Sequence, residues 1–217
     1  MKNNFIKVVA FTLAETLVVM GIIGVVAALT IPNLNQSTGD REKVAKLKKV
    51  YANLEDAYGR ATAVYGPVET WFANDGDDDE AWGTRFTDRL TEFMKVSKRI
   101  SYYEFDLADG TNIGSFIEYP QQANCSHYEN AGYFGSIYVD IDGANKGKNK
   151  HGYDRFEFEI TDQGILPSNT EYYEDGNGIV SDGEGGYYAT AWVIQNGNMD
   201  YLKCADELSW SGQTTCK

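Results

Sequence analysis

The sequence predicts an α+β fold in which one long N-terminal helix precedes a small antiparallel sheet. Three observations carry that prediction. Apolar residues run without interruption near the start, they then recur at every third or fourth position, and beyond residue 100 they alternate with polar ones. With 217 residues, 42% of them hydrophobic and 24% charged, the chain can bury one sizeable core and carry an appendage. Nineteen basic and 32 acidic residues leave a net charge of −13. That balance argues against a nucleic-acid binder working through phosphate neutralisation. The charge is uneven: residues 1–60 hold 8 Lys and Arg against 5 Asp and Glu, which leaves 11 against 27 for residues 61–217.

The first element is the stretch from Phe11 to Ile31, 21 residues with one charge, Glu15, and with Lys2 and Lys7 before it. As a helix it would measure roughly 30 Å, the thickness of a bilayer hydrocarbon core. From Leu17 to Leu29 every residue is apolar or Gly, so the hydrophobicity goes all the way round. A buried core helix is one alternative. Another is a secretory signal cleaved after Ala28, with Val26, Ala27 and Ala28 as its small residues. Glu15 argues against a plain signal, because an ionisable group in an apolar segment is costly and has to find a partner.

The stretch Ala10-Phe11-Thr12-Leu13-Ala14-Glu15-Thr16-Leu17, followed by the apolar run and Pro32, resembles the cleavage and methylation segment of type IV pilins and type II secretion pseudopilins. Ala10 stands where Gly is commonest in that family. The resemblance implies that a prepilin peptidase cuts between Ala10 and Phe11 and methylates the new amine. It also implies that Glu15 meets the Phe11 amine of a neighbouring subunit and sets register, since a desolvated ion pair disfavours arrangements that leave either charge alone. Gly24 and Pro32 bracket a weak part of the helix. In assembled filaments of the family this region can unwind; a tolerated kink is the alternative.

The second element has Val44, Leu47, Tyr51, Leu54, Tyr58, Ala61 and Tyr65 spaced alternately by three and four, which is an amphipathic helix with one apolar seam. The expected start is Asp40, after a break at Ser37-Thr38-Gly39, and the expected end is Gly66-Pro67. The seam suits packing on a sheet or a coiled coil. Lys43, Lys46, Lys48 and Lys49 form a basic cluster that reads either as a solvated face or as a contact with the acidic part of another subunit.

The rest of the chain is short elements. Residues 74–83 (NDGDDDEAWG) read as part of a surface loop, and Phe86, Leu90, Phe93 and Met94 as a short second helix. Tyr102–Leu107, Ile113–Tyr119, Phe134–Ile141, Phe156–Ile160 and Tyr188–Ile194 read as strands, with Asp109-Gly110 as a tight turn. A long helix followed by a meander is also the pilin architecture. The expected organisation is a leader (1–10), a membrane or filament-core helix (11–34), an amphipathic stalk (35–66) and an acidic head (67–217).

Two loops offer oxygen ligands for a hard cation, so calcium is the one cofactor the sequence allows. The first, between Val139 and Phe156, carries Asp140, Asp142, Asn145, Asn149 and Asp154 and resembles a turn common in pilin-like proteins. It is not an EF-hand, and Lys146, Lys148 and Lys150 would repel a cation; an ordinary hairpin loop is the alternative. The second, Glu171–Gly186, carries Glu174, Asp175, Asn177, Asp182 and Glu184 without a basic residue. It is loosely similar to the calcium loop of major pseudopilins, with a solvated loop as its alternative. Three cysteines, Cys125, Cys204 and Cys216, allow three single bridges. Pairing Cys204 with Cys216 resembles the disulfide-bounded C-terminal region of many pilins and leaves Cys125 odd.

The expected function is therefore that of a structural subunit of a type IV pilus or type II secretion pseudopilus. Its partners are copies of itself or related pilins, the prepilin peptidase and, before assembly, the bacterial cytoplasmic membrane; afterwards it sits in a periplasmic or cell-surface filament. The alternative is a membrane-anchored, calcium-dependent adhesion module for a glycan or a protein. No enzyme is expected: the sequence has no G-x-S-x-G, S-x-x-K, H-E-x-x-H or P-loop, and its two histidines, His127 and His151, are isolated.

Overall fold

A computed structural model describes residues 13–72, 79–117, 132–168 and 189–217. Ala10, Phe11, Cys125 and the whole loop holding Asp175, Asn177, Asp182 and Glu184 lie outside the described residues. The fold is α+β, with a six-stranded antiparallel sheet and helices. By its contacts the chain divides into two units, Met1–Arg41 and Glu42–Lys217.

Helix α1 runs from Leu13 to Tyr65. It passes through Pro32 and through Ser37-Thr38-Gly39, where the sequence suggests a break. Helix propagation adds a hydrogen bond per residue, whereas a fresh start must be nucleated again, so a few weak helix formers do not interrupt it. The C-terminal end falls as expected: Gly66 turns to φ 83°, with its amide donating to the Thr62 carbonyl. Within the first unit, residues 17–25 are all exposed. Among the described residues no helix is long and apolar enough to cross a membrane.

The second unit is built on a meander in which each strand pairs antiparallel with the next in sequence. Its strands are β1 (Val96–Arg99), β2 (Glu104–Leu107), β3 (Asn112–Ile117), β4 (Tyr133–Asp140), β5 (Arg155–Thr161) and β6 (Gly164–Pro167). The register sets Ile113 opposite Val139 and Ile137 opposite Phe158. These buried side chains form one core with Val44, Leu47, Leu54, Tyr58 and Ala61 of the predicted α1 seam and with Val50 and Ala57 beside it, Tyr51 packing partly buried against them, whereas Tyr65, the last residue of the predicted seam, is exposed. The seam therefore packs on the sheet. Tyr51 stacks on Phe158 at 5.3 Å, and the buried Tyr58 hydroxyl donates to the Thr161 carbonyl at 2.6 Å. Helix α2 (Asp79–Thr91) adds Trp82, Phe86 and Leu90 to the same core. It starts earlier than the apolar spacing suggests, and Phe93 and Met94 fall in the turn after it.

One expectation is overturned. Tyr188–Ile194 is not a strand: its described part belongs to helix α3 (Ala189–Asn196). Ala189, Trp192 and Val193 are buried at i, i+3 and i+4, a helical face, and Gly197 at φ 68° closes it by donating to the Val193 carbonyl. In so short an apolar run the two periods overlap, so alternation alone does not separate a strand from a helix. The edge strands β1 and β6 and the single-turn helix α4 (Tyr201–Cys204) were not foreseen. β1 is exposed along most of its length and shows no apolar alternation.

Candidate functional site

The loop between β4 and β5 is organised by carboxylates. Asp154 is fully buried, and its two oxygens accept three backbone amides: Oδ1 from Lys150 at 2.5 Å, and Oδ2 from Lys148 at 2.5 Å and Asn149 at 3.0 Å. Asn149 adopts φ 51°, a conformation that Asn tolerates better than most residues. Asp140 accepts the Gly143 amide at 3.0 Å through Oδ1 and the Arg155 Nε at 3.1 Å through Oδ2. Arg155 also reaches Asn149 Oδ1 at 3.1 Å. Gly147 sits at φ 66°, where a Cβ would come within 2.6 Å of Asp154 Oδ2, so only glycine fits.

Asp142 is the unusual member. Partial burial, the hydrogen bond to Asp140 and the charge of Asp154 together raise its carboxyl above the ordinary value. The structure thus brings Asp140, Asp142 and Asn149 around Asp154, but the oxygens of Asp140 and Asp154 are largely engaged by amides and by Arg155. Among the described residues no three His, Cys, Asp or Glu side chains are grouped as a metal ion would require. What the loop does in this chain is brace. Tyr201 of α4 donates to the Gly152 carbonyl at 2.6 Å, and the Tyr153 ring receives Lys43 Nζ of α1 at 3.1 Å and Lys148 Nζ at 4.0 Å.

The basic cluster on α1 is also engaged within its own chain. Lys49 Nζ meets Asp109 Oδ2 at 2.9 Å, Lys46 Nζ donates to the Asp109 carbonyl at 3.2 Å, and Lys43 covers Tyr153. Asp109 is the Asp of the predicted Asp-Gly turn, so the turn between β2 and β3 is clamped to the helix. Burial pushes the Asp109 carboxyl up, but the hydrogen bonds from Lys49 and Thr111 outweigh it and hold the group below its ordinary value. Cys204 and Cys216 form a disulfide across twelve residues.

Of the residues the sequence assigns to assembly, Glu15 and Pro32 lie within α1, and Gly24 is exposed, with none of the described residues within 4 Å of where a Cβ would stand. Sequence reasoning missed a cleft of about 580 Å³ on the sheet, lined by Gly83, Tyr102, Tyr103, Gly114, Phe116 and Tyr138 among others. Those residues come from α2, β3, β4 and the turn before β2, and no spacing in the sequence joins them.

Comparison of the chain with family models, with curated proteins and with solved structures finds no match to any of them.

Proposed function

We propose that this chain is a filament subunit, processed between Ala10 and Phe11 and assembled through the first part of α1 into a type IV pilus or type II secretion pseudopilus. The observation that carries the reading is the chemistry of that part: Leu17, Val18, Val19, Met20, Ile22, Ile23 and Val25 are each 53–66% exposed. An exposed helix that is apolar on every side calls for lipid or neighbouring helices around it. Before assembly the cytoplasmic membrane serves; in the filament, copies of itself or of related pilins do. Glu15 is the one charge in that stretch. Pairing it with the Phe11 amine of the next copy removes the penalty of an isolated charge and fixes the axial step. The second unit, with a core and a disulfide of its own, is the part displayed outside. Nothing in this mechanism is catalytic.

The test is intact mass and N-terminal peptide mapping of the protein from its native membrane or from sheared filaments. The expected first residue is a methylated Phe11. A chain beginning at Leu29 would mean an ordinary secreted protein and would end the filament reading.

A further inference from the structure

The cleft on the sheet has features that the fold does not require. Gly114 lies inside β3, in register with Tyr138 on β4 and Glu104 on β2. Its backbone is not left-handed, and an added Cβ would meet nothing within 4 Å. Glycine inside a strand weakens it and otherwise marks a bulge, a bend or the close approach of a ligand; the β2–β3 and β3–β4 ladders are unbroken here. The space above Gly114 is therefore open. Four aromatic rings surround it while remaining partly in solvent: Phe116 is 48% exposed, Tyr103 40%, Tyr138 39% and Tyr102 37%.

Three of these rings are held in place. Tyr102 and Tyr103 meet edge to face at 4.6 Å, and Tyr102 is seated against Gly83 of α2, where a Cβ would stand 3.2 Å from the ring. Tyr138 hydrogen-bonds to Glu157 on β5. Preorganised rings bind without the entropic cost of being ordered first. Among the described residues, none that lines the cleft carries a charge at neutral pH, in a chain of net charge −13. Two carboxylates stand in register beside the cleft and both are engaged: Glu104, opposite Gly114, accepts from Asn112 Nδ2 at 3.0 Å, and Glu157, opposite Tyr138, accepts from Ser136 Oγ at 2.6 Å.

We propose that this cleft is a binding site for a neutral oligosaccharide. A sugar ring offers flat C–H faces to the aromatic rings and hydroxyls to the tyrosine hydroxyls of the cleft. The uncharged lining among the described residues fits a neutral ligand. A volume of about 580 Å³ falls in the range of small-ligand pockets, whereas a stable protein partner would need a broader face. The site is independent of the filament reading and stands if that reading fails.

The experiment uses the full-length chain in a zwitterionic detergent that contains no sugar. Cellotetraose, maltotetraose and chitotetraose are each titrated to about 10 mM and followed by saturation-transfer NMR and tyrosine resonances. At least one should bind, and Gly114→Val should weaken it at least about tenfold. The same variant should keep the wild-type unfolding midpoint, because its side chain enters open space. Phe116→Ala should weaken binding without filling the cleft, which separates a lost platform from a blocked one. If none of the three sugars binds, or if Gly114→Val binds as well as wild type, the proposal fails. Self-association that Gly114→Val abolishes, in the absence of sugar binding, would assign the cleft to a second copy instead and would equally overturn it.

Discussion

Two stretches of α1 are built from similar residues and meet opposite fates. Residues 17–25 are apolar or Gly at every position and exposed at every position. Between Val44 and Ala61 the larger apolar residues gather on one side, where Val44, Leu47, Val50, Leu54, Ala57, Tyr58 and Ala61 are all buried, while Ala45 and Ala52 are exposed. The second stretch has a sheet to cover one face, and its charged residues take the other. The first is apolar on every side, more surface than one sheet face could cover, and its described side chains are exposed. What separates the buried stretch from the exposed one is thus the angular spread of the apolar side chains rather than their number.

The sharpest test of that contrast is a matched pair of truncations. Leu54→Ala removes a fully buried side chain and should lower the stability of the second unit by about 3 kcal/mol, read by denaturant unfolding. Ile23→Ala should leave the same transition where it is. A comparable loss from both would mean that residues 17–25 are covered by their own chain. Next in size is the disulfide. Replacing Cys204 and Cys216 together by Ser reopens a loop of twelve residues and should cost roughly 3 kcal/mol by chain entropy, again without effect on residues 17–25.

A smaller effect separates two carboxylates within the second unit by the sign of their pH dependence. Asp142 is raised above its usual 3.8, so the folded chain holds its proton more tightly than the unfolded chain. Its contribution is present at low pH and is lost as pH rises through the raised value. Asp109 is lowered, so its contribution is present above 3.8 and is lost as pH falls. Asp142→Asn should therefore raise the unfolding midpoint at neutral pH and flatten the decline of stability above pH 3.8, whereas Asp109→Asn should lower the midpoint at neutral pH. Two variants shifting in the same direction would refute the assignment. Smallest is Lys49→Ala. The Lys49 side chain is 62% exposed, so losing its pair with Asp109 should cost no more than about 1 kcal/mol and less in high salt.

Much of this molecule is legible in the sequence because its signals are local. The 3–4 spacing from Val44 to Ala61 gives both the helix and the face it buries, and strands β2 to β5 follow from alternation around Asp109-Gly110. Helix α3 was misread because Ala189 to Val193 is too short to separate a period of two from one of 3.6. The role of Asp154 was hidden differently. Sequence offers its carboxylate as a cation ligand, but in the fold its oxygens are taken by the amides of Lys148, Asn149 and Lys150. The lysines near it looked like repulsion for a metal, and it is their backbone rather than their side chains that the carboxylate holds.

The sequence by itself determined the α+β class, the apolar stretch with Glu15 inside it, the seam of α1 and the order of the central strands. Each of these rests on residues within a few positions of one another, where helix and strand periods are set by backbone geometry. Only the tertiary structure decided that the α1 lysines close on Asp109 and Tyr153, and that Tyr102, Phe116 and Tyr138 gather around the bare floor of Gly114. These contacts join residues far apart in the chain, and their pairing depends on how the strands register and what the helices cover. No local pattern encodes that.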